Sequence, residues 1–249
     1  MSGADRDRPA EQSSSGAARP GAPRRRGAAG GVLAAVKETV LVVVVALVVS
    51  LVVKTFLLQA FSIPSRSMEQ TLDVGDRVVV SKLTPGPFEL HRGDVVVFVD
   101  PGGWLPPTVR VERGPVGAAV TGALTFVGLL PDDSGEHLIK RVVGLPGDRV
   151  ACDGRGPVTV NGVPVDEAEY LAAGVAPSGE AFDVTVPAGR LWVMGDNRAN
   201  SADSRAHPDA PYGGFVPVEL VVGRAHAVVW PVGHWAWLGT PAAFDAVRS

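Results

Sequence analysis

PVTVNGVPV, residues 157–165, sets two valine-rich runs on either side of Asn161-Gly162. That dipeptide is the strongest short hairpin signal, because both positions accept the positive φ that a tight two-residue turn requires. Outward from it the same pattern recurs: short β-branched runs closed by turn residues. Upstream lie LIKRVVG (138–144), DVVVFV (94–99) and RVVVSK (77–82). Downstream lie DVTVPAG (183–189), RLWVMGD (190–196) and LVVGRAHAVVW (220–230). Such runs, without helical crossovers, argue for antiparallel sheets and against a parallel α/β fold. With 30 glycines and 21 prolines in 249 residues, long helices cannot dominate. The expected fold is mainly β. It comprises an antiparallel sheet domain over 61–235, with an insertion at 101–135 and a β-rich subdomain at 152–190, followed by a C-terminal tail at 236–249.

The N-terminal side obeys different rules. Residues 1–31 are Gly, Ala, Pro, Ser and Arg with almost nothing large and apolar, so they are read as a disordered tail. TVLVVVVALVVSLVV (39–53) then runs without a charge. As a helix it covers about 22 Å, short of a hydrocarbon core of roughly 30 Å. Continuing past Lys54 into TFLLQAF closes the gap, and the expected transmembrane anchor is 32–60. Arg24, Arg25, Arg26 and Lys37 precede the span, which by the positive-inside rule places the tail in the cytoplasm and the domain outside. A cleavable signal peptide fits less well, because 38 residues precede the apolar run. A buried soluble helix would not carry valine on every face. A second apolar stretch, Val116–Leu130, is too short for a span, and is expected to be a buried or interfacial helix.

Other classes fall away on composition. Cys152 is the single cysteine, which excludes an intramolecular disulfide framework and a cysteine-built zinc site. The five histidines (91, 137, 207, 226, 234) form no HExxH spacing, so neither metal nor other cofactor is expected. A formal charge of -3 gives no argument for nucleic acid.

Three polar clusters stand beside turn-forming residues. IPSRSMEQTLDVGD (63–76) holds the hydroxyls of Ser65 and Ser67. IKRVVGLPGD (139–148) places Lys140 and Arg141 in an apolar strand, where alternation sends them to opposite faces and one of them inward. GDNRANSADSR (195–205) is rich in groups that cap backbone turns. Singly, each is an ordinary turn or an exposed strand lysine. In order and spacing the set resembles the type I signal peptidases, membrane-anchored serine proteases that remove signal peptides from exported proteins. PSRSMEQTL resembles that family's nucleophile box, GDRVVVSK (75–82) its second box, KRVVGLPGD (140–148) its lysine box and GDNRANSADSR its last box. Two departures are Gln70, where proline is usual, and Ala199, where an acid is common; the first is expected to loosen the turn behind the nucleophile.

The resemblance implies a catalytic domain with Ser67 as nucleophile and Lys140 as general base, the latter reactive only if burial lowers its pKa by several units. It implies an oxyanion site from the Ser67 backbone N–H and the Ser65 hydroxyl, and Ser201 as the residue orienting the lysine. Asp203 and Arg205 would form a supporting pair, and Ile63, Met68, Leu72 and Ile139 would line shallow pockets for a small-x-small cleavage motif. The implied partners are preprotein signal peptides and the lipid bilayer, with location in the plasma membrane. The alternative is an inactive signal-peptidase-like membrane binding module, against which both Ser67 and Lys140 stand. Self-cleaving repressors share the Ser/Lys pair but carry a helix-turn-helix, of which there is no sign, and no serine lies in a G-x-S-x-G elbow.

Overall fold

The computed structural model describes residues 28–106, 117 and 137–247. The chain divides into two units, Met1–Ala46 and Leu47–Ser249. Helix α1 (Ala28–Phe56) has 29 residues. Its window Ala34–Leu51 has a mean hydropathy of 2.3 and no buried share, so it is long and apolar enough to cross a membrane. At 1.5 Å per residue the helix measures about 44 Å. It begins at Ala28, four residues inside the expected tail, and ends at Phe56, four residues short of the expected end. The expected continuation to residue 60 is corrected: Leu58–Ser62 form strand β1, and Phe61 is buried in the core. These residues satisfy their backbone through a sheet ladder, which a helix cannot share.

The strands after β1 are β2 (Arg77–Ser81), β3 (Val95–Val99), β4 (His137–Gly144), β5 (Arg149–Asp153), β6 (Thr159–Val160) and β7 (Val163–Pro164). They continue as β8 (Ala181–Thr185), β9 (Arg190–Met194), β10 (Val216–Pro217), β11 (Val221–Trp230) and β12 (Ala236–Trp237). The larger sheet runs β1-β2-β11-β3-β4-β9-β10 with β12 on β11, and the smaller runs β7-β6-β5-β8. The described pairings are antiparallel. Asn161 (φ 54°) and Gly162 (φ 83°) make the turn between β6 and β7, with Val160 opposite Val163. The smaller sheet begins at Arg149, upstream of the expected boundary at 152.

β4 lies inside the larger sheet, between β3 and β9. Side chains cover both of its faces. Ile139 packs with Phe61, Met68 and Val80, while Leu138 and Val142 pack with Phe98 and Leu191. One of the adjacent cations was expected inward; both are buried, Lys140 at 3% and Arg141 at 2% exposure. A strand covered on both faces has no solvent side to offer the second, so Arg141 needs partners of its own.

Residues 236–249 do not form a tail as far as they are described. β12 pairs Ala236 with Val228 and Trp237 with Ala227. Ala242–Val247 make a 3-10 turn that buries Phe244 and Val247 in the core of the smaller sheet. Arg92 fastens it, donating from Nη1 to the Val247 carbonyl at 2.5 Å while bound to Asp148. Val116–Leu130 lies outside the described residues.

Candidate active site

The loop that carries Ser67 is pinched at its base by Ile63 N–H to Asp76 O and Gly75 N–H to Ile63 O, both 2.9 Å. Met68 and Leu72 are pegs driven fully into the core below it. The turn between them is closed by N–H groups of Glu69, Thr71 and Leu72, donating to the carbonyls of Arg66 and Met68. Gln70 sits within it at φ 89°, a left-handed conformation closed to proline. The turn that carries Gln70 is closed by these backbone hydrogen bonds.

This turn presents Ser67, itself only 7% exposed, to the middle of β4. Lys140 Nζ lies 2.7 Å from Ser67 Oγ and donates to the carbonyl of Ile139 at 2.9 Å. Burial lowers the amine from 10.5 to about 8, while the negative charges of Asp203 and Asp196 pull part of the way back. A neutral amine in hydrogen-bond contact with a hydroxyl can take its proton. The exposed Ser65 places its Oγ 3.2 Å from Ser67 Oγ. Ser201 Oγ is buried without a hydrogen-bond partner, so the lysine is held by Ser67 and Ile139 and not by this hydroxyl. Ile63, Met68, Leu72 and Ile139 are 7% exposed or less and form the core on which the Ser67 turn rests.

Asp203 and Arg205 lie together, with Arg205 Nε and Nη2 donating to the two carboxylate oxygens at 2.9 and 2.8 Å. Asp203 also accepts the Gly195 N–H at 3.0 Å. Gly195 is obligatory: a methyl group there would collide with the Ser67 carbonyl oxygen and Ser201 Oγ.

Sequence reasoning missed several residues. Arg141 donates to both Asp196 oxygens at 2.9 and 2.6 Å, and Thr71 reaches the same carboxylate, joining β4, the Ser67 turn and the segment after β9. Asn197 binds the Ser67 carbonyl through its N–H at 3.1 Å and Glu69 through its side chain at 3.0 Å. Glu167 and Tyr170 come from the segment between β7 and β8 and meet Arg198. An acid and a tyrosine in a loop carry no local signal. Arg141 and Asp196 stood inside clusters already marked, but Asp148, Arg198, Asp203 and Arg205 share those clusters, so the sequence left the pairing open. Among the described residues no group of three or more His, Cys, Asp or Glu could hold a metal ion.

A hydroxyl touching a buried, pKa-lowered amine on an antiparallel sheet framework is equipment for serine hydrolase chemistry without histidine. The family described as signal peptidase, peptidase S26, matches residues 36–230. Signal peptidase I of Mycobacterium tuberculosis is 41% identical over 209 residues, covering 76% of this chain and 70% of that protein. A probable signal peptidase I of Mycobacterium leprae is 39% identical over 217 residues, covering 76% and 74%. A crystal structure of a signal peptidase I from Enterococcus faecalis V583 aligns over 55% of this chain and 97% of that one. Its sequence identity to this chain is 24% and the TM-score is 0.33. The chain belongs to the signal peptidase family, peptidase S26, and is a serine endopeptidase of the signal peptidase I class.

Proposed function

We propose that this chain is a membrane-anchored endopeptidase that removes N-terminal signal peptides from exported preproteins, cutting after a small-x-small motif. The observation that carries the mechanism is the buried 2.7 Å contact between Lys140 Nζ and Ser67 Oγ. Neutral Lys140 takes the hydroxyl proton as Ser67 attacks the scissile carbonyl, and then returns it to the leaving amine. Water, activated by the same amine, hydrolyses the acyl-enzyme. The Ser67 N–H and the Ser65 hydroxyl receive the developing oxyanion, a role in which one donor typically contributes about 2.7–4 kcal/mol. Ser201 has hydrogen-bonding capacity to offer the amine as it gains the proton. Asp203 and Arg205 hold the backbone behind it. The small-x-small rule assigns to Ile63, Met68, Leu72 and Ile139 the lining of shallow apolar pockets, which admit small side chains and reject large ones by clash.

Helix α1 supplies the anchor, with residues 1–31 cytoplasmic and the catalytic body outside the plasma membrane. Contact of the body with the bilayer is supported by exposed Trp230, Val232, Trp235 and Trp237, side chains favoured at lipid interfaces. An inactive binding module would have no use for a lysine buried at the expense of its charge.

The test is cleavage of a preprotein with an Ala-x-Ala site by the full chain in detergent micelles. Wild type should cut after the second alanine, and Ser67→Ala and Lys140→Ala should not. Turnover by Lys140→Ala near the wild-type rate would overturn the assignment of the base.

A further inference from the structure

Glu167, Tyr170 and Arg198 form a cluster that the chemistry above does not use. All three are buried, at 4% exposure each. Glu167 opens a 3-10 turn after β7, next to the smaller sheet, and Arg198 belongs to the box after β9. The Arg198 guanidinium donates to the two Glu167 oxygens at 2.5 and 2.9 Å, and the Tyr170 hydroxyl donates to Glu167 at 2.7 Å. Burial opposes the Arg198 charge, but Glu167 more than offsets it, leaving the guanidinium pKa raised.

Two contacts lead from this cluster to the reacting atoms. Arg198 Nε donates to the Gly195 carbonyl at 3.0 Å, while Asp203 holds the Gly195 N–H. Both polar groups of that residue are therefore fixed. Gly195 Cα abuts the Ser67 carbonyl and Ser201 Oγ so closely that no side chain fits. On the other side, the Tyr170 ring carries the Arg141 guanidinium at 4.3 Å from its centroid. Arg141 is the residue after Lys140 and is paired with Asp196. Tyr170 thus lies between the strand that bears the lysine and the loop that backs the serine.

We infer that Glu167 is a positioning residue for the hydrolytic reaction, holding Arg198 and Tyr170 so that Gly195 and Arg141 fix Ser67 against Lys140. The smaller sheet region thereby acts as a buttress for the dyad through one carboxylate. This inference rests on the function proposed above. A buried charge pair could instead only glue one region to another, and the two roles separate in their kinetics. Small displacements of reacting groups cost turnover more than binding.

The experiment uses the full chain in micelles with the Ala-x-Ala preprotein, and counts active sites by stoichiometric acylation of Ser67. Glu167→Gln keeps the shape and removes the charge, Glu167→Asp keeps the charge at shorter reach, and Tyr170→Phe removes one hydroxyl while keeping the ring. For Glu167→Gln, kcat per active site should fall at least about tenfold with KM within about twofold. The rising limb of the pH profile should move to higher pH, because a loosened site readmits water to Lys140. Glu167→Asp should recover part of the rate, and Tyr170→Phe should show a smaller shift in the same direction. If Glu167→Gln does not fold, Tyr170→Phe and Glu167→Asp decide by the same readouts. Unchanged kcat per active site and an unmoved limb, whatever the loss of stability, would overturn the inference. Failure of the wild type itself to cleave would instead overturn the proposed function.

Discussion

Lys140 gives up its water when β4 closes into the sheet, and its pKa falls from 10.5 to about 8. The unfolded chain keeps that proton up to the higher value and the folded chain releases it at the lower one. Below about 8 both states are charged and the burial penalty is complete; between the two values stability rises with pH, because the unfolded state binds more protons. A shift of this size corresponds to about 3 kcal/mol. Lys140→Met, similar in length and uncharged, should therefore raise the unfolding midpoint at about pH 7, with a smaller gain at about pH 10. Thermal unfolding of both proteins at the two pH values checks this, and equal gains at both would contradict it. On the proposed mechanism the same proton governs activity. Below about 8, kcat/KM should climb close to tenfold per pH unit and level off above it. A second residue-scale expectation concerns Gly195, where an added methyl meets the Ser67 backbone, which cannot swing aside as a flexible side chain would. Gly195→Ala should lower kcat about a hundredfold, read by preprotein cleavage per active site.

Elements rich in β-branched residues were legible because their side chains specify the conformation locally. RVVVSK, DVVVFV and LIKRVVG became β2, β3 and β4, and the Asn161-Gly162 turn closes β6 on β7. LQAFS was not legible: it continues an apolar run, and only pairing with Arg77–Ser81 makes it a strand rather than more helix. Val216–Pro217 and Ala236–Trp237 are two-residue strands, too short for any periodicity to register. Ser67 and Lys140 carried signals in their own boxes, whereas Glu167 and Tyr170 matter only through a partner far along the chain. The C-terminal 3-10 turn is a similar case, since its six residues AAFDAV show no pattern that announces burial. Phe244 stacks on Tyr170 with ring centroids 6.2 Å apart and is fully buried. Phe244→Ala should cost about 3–5 kcal/mol, measured by urea unfolding, as a large cavity opens in a close-packed site. An effect below about 1 kcal/mol would mean that the segment is a loosely attached end, as first expected.

At the scale of the whole molecule, the decisive fact is how the chain leaves and re-enters the larger sheet. β3 and β4 pair from Val95 opposite Arg141 to Val99 opposite His137. Paired residues in an antiparallel ladder stand about 5 Å apart, so the segment between Val99 and His137 starts and ends at one place. A single membrane crossing within it would need those two strands on opposite sides of roughly 30 Å of hydrocarbon. It would also part Ser67 from Lys140, which lie 2.7 Å apart. Val116–Leu130 should therefore not traverse the bilayer, although its hydropathy nominates it. Three glycines (117, 122, 128) and Pro131 argue the same way from helix propensity. The check is labelling of single cysteines with a membrane-impermeant reagent in a Cys152→Ser background. Arg113→Cys and Asp133→Cys should react from the same side as Gly103→Cys, and Lys37→Cys from the other. Opposite labelling of residues 113 and 133 in an enzyme that still cleaves would replace the single anchor with a two-span topology, and the β3–β4 ladder would have to be given up with it.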